Sequence, residues 1–161
     1  STCDALVYNM DIFPTILDLV GLDLQCDDLA TLDGQSLLPF PRGDADEATG
    51  RDALYLEFHG IRYLRTERGV VTRDGFKYIF NPADDDELYD LNRDPAELNN
   101  LLADGADDPQ APPLRDLLVQ LAQAHGDPVQ NCIAKWFGQW RGLSGQPDVS
   151  SAYAVAGDDT P

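Results

Sequence analysis

The spacing of apolar positions changes character along the chain, from helical to alternating and back to helical. Residues 9–20 place Ile12, Phe13, Ile16, Leu17, Leu19 and Val20 around most of a helical circumference. Asn9 or Asp11 is placed to cap this helix, because short polar side chains accept from the N–H groups a first turn leaves free. Pro14 falls in the first turn, where its missing N–H costs little, and Gly21 supplies a left-handed stop. A helix this apolar needs neighbours on several sides. Only eight residues precede it, so those neighbours are expected from elsewhere.

Residues 22–52 lose the periodicity and read as loop, and a domain boundary is expected between residues 44 and 52. Residues 53–58 alternate, with Leu54, Leu56 and Phe58 to one side and Ala53, Tyr55 and Glu57 to the other, the signature of a half-buried strand. Residues 69–73 and 76–80 are further strands. The intervening Asp74-Gly75 predicts a two-residue hairpin with both residues at positive φ. Residues 87–91 form a short fourth strand, and residues 92–101 are turn-rich, with a helical turn expected at 95–98. Leu114, Leu117, Leu118, Leu121 and Ala122 define an amphipathic helix over 113–125, ended by Gly126.

These elements predict an α+β fold: a small antiparallel sheet with a packed C-terminal helix. Ile133, Trp136, Phe137 and Trp140 fit a short amphipathic helix. From Gly142 onward the apolar content is too low for a core, and disorder is expected.

Composition narrows the class of partner. The net charge is −18, built from 24 Asp and 5 Glu against 9 Arg and 2 Lys. The carboxylates are dispersed, which suits a solvent where the screening length is about 3 Å, as at 1 M salt. The balance therefore points to a high-salt cytoplasm, with an ordinary acidic protein as the alternative. It argues against nucleic acid and anionic membrane surfaces, both of which select for Lys and Arg. Cys3, Cys26 and Cys132 have neither disulfide nor zinc spacing. No run of 18 apolar residues spans a membrane, and no signal peptide opens the chain.

Two stretches carry the reading further. Asp11-Ile12-Phe13-Pro14-Thr15-Ile16-Leu17-Asp18-Leu19-Val20-Gly21, followed by Asp33-Gly34-Gln35-Ser36-Leu37-Leu38-Pro39, resembles the end of the catalytic domain of the sulfatase family. Phe76-Lys77-Tyr78-Ile79-Phe80-Asn81 and the run from Glu87 to Leu101 resemble the C-terminal subdomain of that family, which belongs to the alkaline-phosphatase-like superfamily. The resemblance spans roughly residues 5 to 125. It implies that residues 1–43 are the remnant of an α/β catalytic domain otherwise missing, with its last helix. Residues 44–126 would be the C-terminal subdomain, and 127–161 a short amphipathic segment and tail.

The resemblance also implies a formylglycine nucleophile made from Cys in a Cys-x-Pro-x-Arg motif, and a calcium ion. Cys3, Cys26 and Cys132 lack that motif, and the family's catalytic and calcium-binding residues lie before Asp11. No catalytic or metal residue is therefore assigned in this chain, and neither cofactor is expected in it. The implied activity is sulfate-ester hydrolysis, with the substrate met only alongside a catalytic domain. A phosphonate or phosphate-ester hydrolase of the same superfamily and a non-enzymatic remnant or interaction module are the alternatives.

The candidate substrate contacts are His59, Arg62 and Arg65. His59 ends a strand beside Gly60, and the resemblance places loops of this subdomain at the rim of the active-site cleft. A guanidinium matches a sulfate oxyanion, although Arg62 and Arg65 equally offset nearby carboxylates. Asp84-Asp85-Asp86-Glu87 offers oxygen ligands but no dedicated calcium-loop pattern, and reads as a solvated turn. Asp90, Asp94, Lys77, Tyr78 and the run from Glu97 to Asn100 are assigned packing roles. Self-association is expected through Ile12, Phe13, Leu17, Trp136 and Trp140.

Overall fold

The computed structural model describes residues 3–22, 32–44, 50–60, 66–82 and 84–127. They divide into two compact units between Asp108 and Pro109. The expected boundary at 44–52 lies inside the first unit. The elements are those of the α+β class: a small antiparallel sheet with helices before and after it in the chain. Arg62, Arg65, Cys26, Cys132, Trp136 and Trp140 fall outside the described residues, as does the tail.

The first unit opens with a 3-10 turn, Asn9–Asp11, that runs into α1, Ile12–Leu19. The cap differs from expectation. The carboxylate of Asp11 reaches back to the N–H of Tyr8 (2.7 Å), which closes the turn from its third position. Gly21 ends the element at φ +73° as foreseen. The loop that follows contains one unforeseen turn of helix, α2, Pro39–Arg42.

The sheet consists of β1 (Ala53–His59), β2 (Thr66–Thr72), β3 (Phe76–Phe80) and β4 (Glu87–Asp90), antiparallel and in that spatial order. Register lines up Tyr55, Val70, Tyr78 and Leu88 in one row across all four strands, and all four are buried. The deepest burial is therefore on the side of β1 that looks more polar in sequence. On its other side Leu54 is buried, Leu56 half-buried and Phe58 exposed. The alternation holds, but burial fades along the strand toward His59.

The β2–β3 hairpin is not the two-residue type. Residues 73–75 lie between the strands, the N–H of Gly75 donates to the Thr72 carbonyl (3.0 Å), and of these residues only Gly75 has positive φ, +89°. This matches a three-residue loop closed by a left-handed glycine. The helical turn expected at residues 95–98 is also absent. One turn forms there, from the Glu97 N–H to the Asp94 carbonyl (3.1 Å), and Glu97 itself is left-handed at φ +53°.

In the second unit α3 runs over Ala111–Ala124. It starts two residues before the expected 113 because Pro112 and Pro113 occupy a first turn that needs no donors from them. Ala111, Leu114, Leu118 and Ala122 are its buried residues. No helix among the described residues is long and apolar enough to cross a membrane.

Candidate functional site

His59 lies at the last position of β1, paired in register with Thr66 at the start of β2. Its side chain is 60 % exposed and its Nε2 is 3.2 Å from Glu57 Oε2, two residues back on the same face of the strand. An exposed imidazole beside a carboxylate can exchange a proton or donate to an oxyanion, and it is accessible to do so. Arg62 and Arg65 belong to the undescribed connection between the two strands, so His59 is the member of the candidate contact set with defined geometry.

The most strongly built polar site is elsewhere, and its residues are 40 positions apart. Asp11 is fully buried, and its carboxylate makes two parallel bonds with Arg51, Nη1 to Oδ2 and Nη2 to Oδ1, each 2.8 Å. It also accepts from the backbone N–H of Gln35 (2.8 Å) and of Tyr8 (2.7 Å). Burial alone would push this carboxyl up, but the guanidinium and the two N–H donors outweigh it and hold it below its ordinary value. The Arg51 guanidinium also lies over the Tyr8 ring, 4.8 Å from its centre. The Tyr8 hydroxyl accepts from the backbone N–H of Tyr55 on β1. Burial raises its pKa, with the Tyr55 N–H and Arg51 offsetting only part of the rise.

One stripe of α1 continues this polar surface. Thr15 Oγ1 donates to the Asp11 carbonyl (2.6 Å) and accepts from the Leu37 N–H (2.9 Å), while Ser36 Oγ donates to Asp18 (2.7 Å). Asp11, Thr15 and Asp18 thus fall on one helical face and bind residues 35–37. Gly34 permits the approach, since a Cβ there would sit 2.4 Å from the Met10 carbonyl oxygen. The opposite stripe is apolar and open. Ile12, Phe13, Ile16, Leu19 and Val20 are between 51 % and 66 % exposed.

The run from Glu87 to Leu101 also has a physical explanation. Asp90 Oδ1 accepts from the N–H of Asn92 (3.1 Å) and of Arg93 (3.3 Å). Asp94 accepts from the Asn99 N–H (2.8 Å), and hydrogen bonds from the Asn99 and Leu98 backbone hold its carboxyl low. Lys77 pairs with Glu97 at 2.6 Å, which offsets the cost of a left-handed glutamate. Beside that pair, burial and then the hydrogen bond to Glu87 push the Tyr89 phenol up to about 12. Asn100 accepts from the N–H groups of Leu88 (3.0 Å) and Leu102 (2.9 Å) and donates to the Asp86 carbonyl (3.1 Å). The packing roles assigned to Asp90 and Asp94 are thus local backbone bonds. Those of Lys77, Glu97 and Asn100 connect parts of the chain distant in sequence.

The acidic turn before β4 is committed elsewhere. Asp86 accepts from the Tyr78 hydroxyl and from the Asn81 N–H, and Asp84 accepts from the Asp85 N–H. Among the described residues no three His, Cys, Asp or Glu side chains converge as a metal site would require. Cys3 is exposed and free, followed by Asp-Ala-Leu.

A sheet of this kind, preceded by the Asp-Ile-Phe-Pro-Thr helix and ending in the Leu-Tyr-Asp-Leu run of β4, defines a sulfatase-type C-terminal subdomain. The chain belongs to the family described as N-sulphoglucosamine sulphohydrolase, C-terminal, which it matches over residues 1–124. It is 33 % identical over 107 residues to an N-acetylglucosamine-6-O-sulfatase of Bacteroides thetaiotaomicron, covering 63 % of this chain and 18 % of that protein. The solved structure of BT4656 in complex with its substrate D-glucosamine-2-N,6-O-disulfate superposes with a TM-score of 0.57 at 28 % identity, over 73 % of this chain and 24 % of that one. The phosphonate monoester hydrolase of Agrobacterium radiobacter superposes with a TM-score of 0.50 at 28 % identity, over 72 % of this chain and 24 % of that one. The chain thus spans about a fifth to a quarter of the length of these proteins.

Proposed function

We propose that this chain is the C-terminal part of a sulfuric ester hydrolase and is inactive alone. One observation carries the reading: the chain matches a C-terminal family over residues 1–124 and spans only 18 % of the sulfatase relative's length. The open apolar stripe of α1 supports it, because Phe13 and Ile16 face where a larger partner domain would remove them from water.

Formylglycine and calcium would belong to the rest of such an enzyme, since neither Cys3 nor the acidic turn fits them. The contribution of this chain is binding and positioning. His59, at the open end of β1 beside Glu57, would meet the sulfated substrate at the cleft rim. Arg62 and Arg65 would assist it.

The test begins with the genomic sequence immediately upstream. An in-frame Cys-x-Pro-x-Arg motif there supports the reading, whereas a stop codon followed by a start codon favours a free-standing interaction module. The purified chain is expected to release no sulfate from an aryl sulfate or from glucosamine 6-sulfate, with or without calcium. Turnover that copurifies with the chain would sink the proposal. The likeness to the phosphonate monoester hydrolase supports a second reading, hydrolysis of a phosphonate ester. Assaying the full-length product of that locus on both ester classes separates the two. The dispersed Asp surface further supports adaptation to high salt, for which the check is a melting temperature that rises from dilute buffer to molar KCl.

A further inference from the structure

Among the described residues, the segment holding α1 and the sheet are joined mainly through polar groups. Leu6 forms an isolated bridge with Arg51, Tyr8 meets Tyr55, and the buried carboxylate of Asp11 takes both ends of the Arg51 guanidinium. All three ties reach the sheet side within residues 51–55. The apolar stripe of α1 points away into solvent, so little hydrophobic burial reinforces them. Within the segment the connections are numerous. Residues 35–37 are bound to α1 through Asp11, Thr15 and Asp18, with Gly34 against the Met10 carbonyl. The sheet meanwhile carries its own buried row, Tyr55, Val70, Tyr78 and Leu88.

We propose that Asp11 and Arg51 form a latch through which residues 3–22 and 32–44 release from the sheet together while β2, β3 and β4 stay folded. Local opening of this kind follows where a cooperative unit shares few apolar contacts with its neighbour. The ion pair is suited to the task. Satisfied, it fixes geometry through two parallel bonds. Broken, it leaves a buried charge without its partner, so the closed state tolerates little partial loosening. An eight-residue helix has no stability of its own in water, so release also melts α1. The latch therefore sets how the Ile12, Phe13, Ile16, Leu19 and Val20 stripe is presented relative to β1, which carries His59.

Amide hydrogen exchange on the full 161-residue chain tests it. In the wild type, the Val20, Leu22, Gln35 and Leu37 amides should share one opening that responds to low urea before the amides of β2 and β3 do. Sharing the sheet's opening instead would overturn the latch. In Arg51→Ala and in Asp11→Asn, the same four amides should exchange at least about tenfold faster, with β2 and β3 unchanged. Uniform acceleration, failure to fold, or no change in those four amides would each overturn the proposal, because the pair would then support the whole fold or nothing.

Discussion

In the sheet, Tyr55, Val70, Tyr78 and Leu88 exclude water from one another across four strands, and the polar groups around them serve mainly to secure turns and edges. In the segment before it, Ile12, Phe13, Ile16 and Leu19 of α1 are exposed, while a carboxylate, a hydroxyl and a second carboxylate hold the neighbouring loop. Apolar residues thus form a core in one region and an open surface in the other. Burial of a large side chain is worth about 1.5–3 kcal/mol, so the sheet is the part that stabilises itself. The segment relies on geometry, and its apolar stripe has stabilisation still to gain from a partner.

The sharpest way to break this contrast is to hollow out the sheet. Leu88→Ala should cost about 3 kcal/mol and lower the melting temperature of the whole first unit, because Leu88 is fully buried. A loss confined to one strand in hydrogen exchange would show that the row is not a cooperative core. Asn100→Ala should cost about 2 kcal/mol, since three backbone groups around β4 lose their partner at once. Urea denaturation measures it, and a change below 0.5 kcal/mol, the usual size at unconstrained surface sites, would mean that water replaces the amide freely.

Acid should act on the segment. The Asp11 carboxyl is depressed in the folded chain, so its contribution is complete above the ordinary value of 3.8 and is lost as pH falls through the lower folded value. Protection of the Gln35 amide followed downward from pH 5 should therefore persist until pH is below that ordinary value. Loss already near pH 5 would contradict the depressed carboxyl. The smallest effect belongs to the open stripe. Phe13→Ser should change the stability of this chain by less than about 0.5 kcal/mol, because Phe13 is already exposed. A loss of several kcal/mol would mean that the stripe is covered in solution.

Apolar spacing located β1, α1 and α3 to within a few residues, and the Asp74-Gly75 turn signal placed β2 and β3 on either side of it. The misses share a cause. Nothing local distinguishes Asp11 as the partner of Arg51, since the pair exists only after the loop and the strand entry come together. Asp74-Gly75 looks like a two-residue hairpin, but the register from Val71 to Lys77 leaves room for three residues, and one glycine then suffices. Glu97 sits where a helical turn seemed natural, yet its pairing with Lys77 holds it in a conformation helices exclude. At the candidate site, the strand end follows from Gly60 beside His59, whereas the exposure of His59 reflects burial that fades along β1 although the sequence alternation does not. Its proximity to Glu57 follows from their two-residue spacing.

Asn100 has one further consequence. A terminal strand normally presents unpaired N–H and C=O groups on which another chain can nucleate. Here the side-chain amide of Asn100 takes the outward N–H of Leu88, and the N–H of Leu101 takes the Leu88 carbonyl at 2.9 Å. The chain has capped its own β4 margin with a two-residue imitation of a neighbouring strand. A foreign β-segment arriving at Leu88 finds both backbone groups of that residue already paired and no free ladder there to extend.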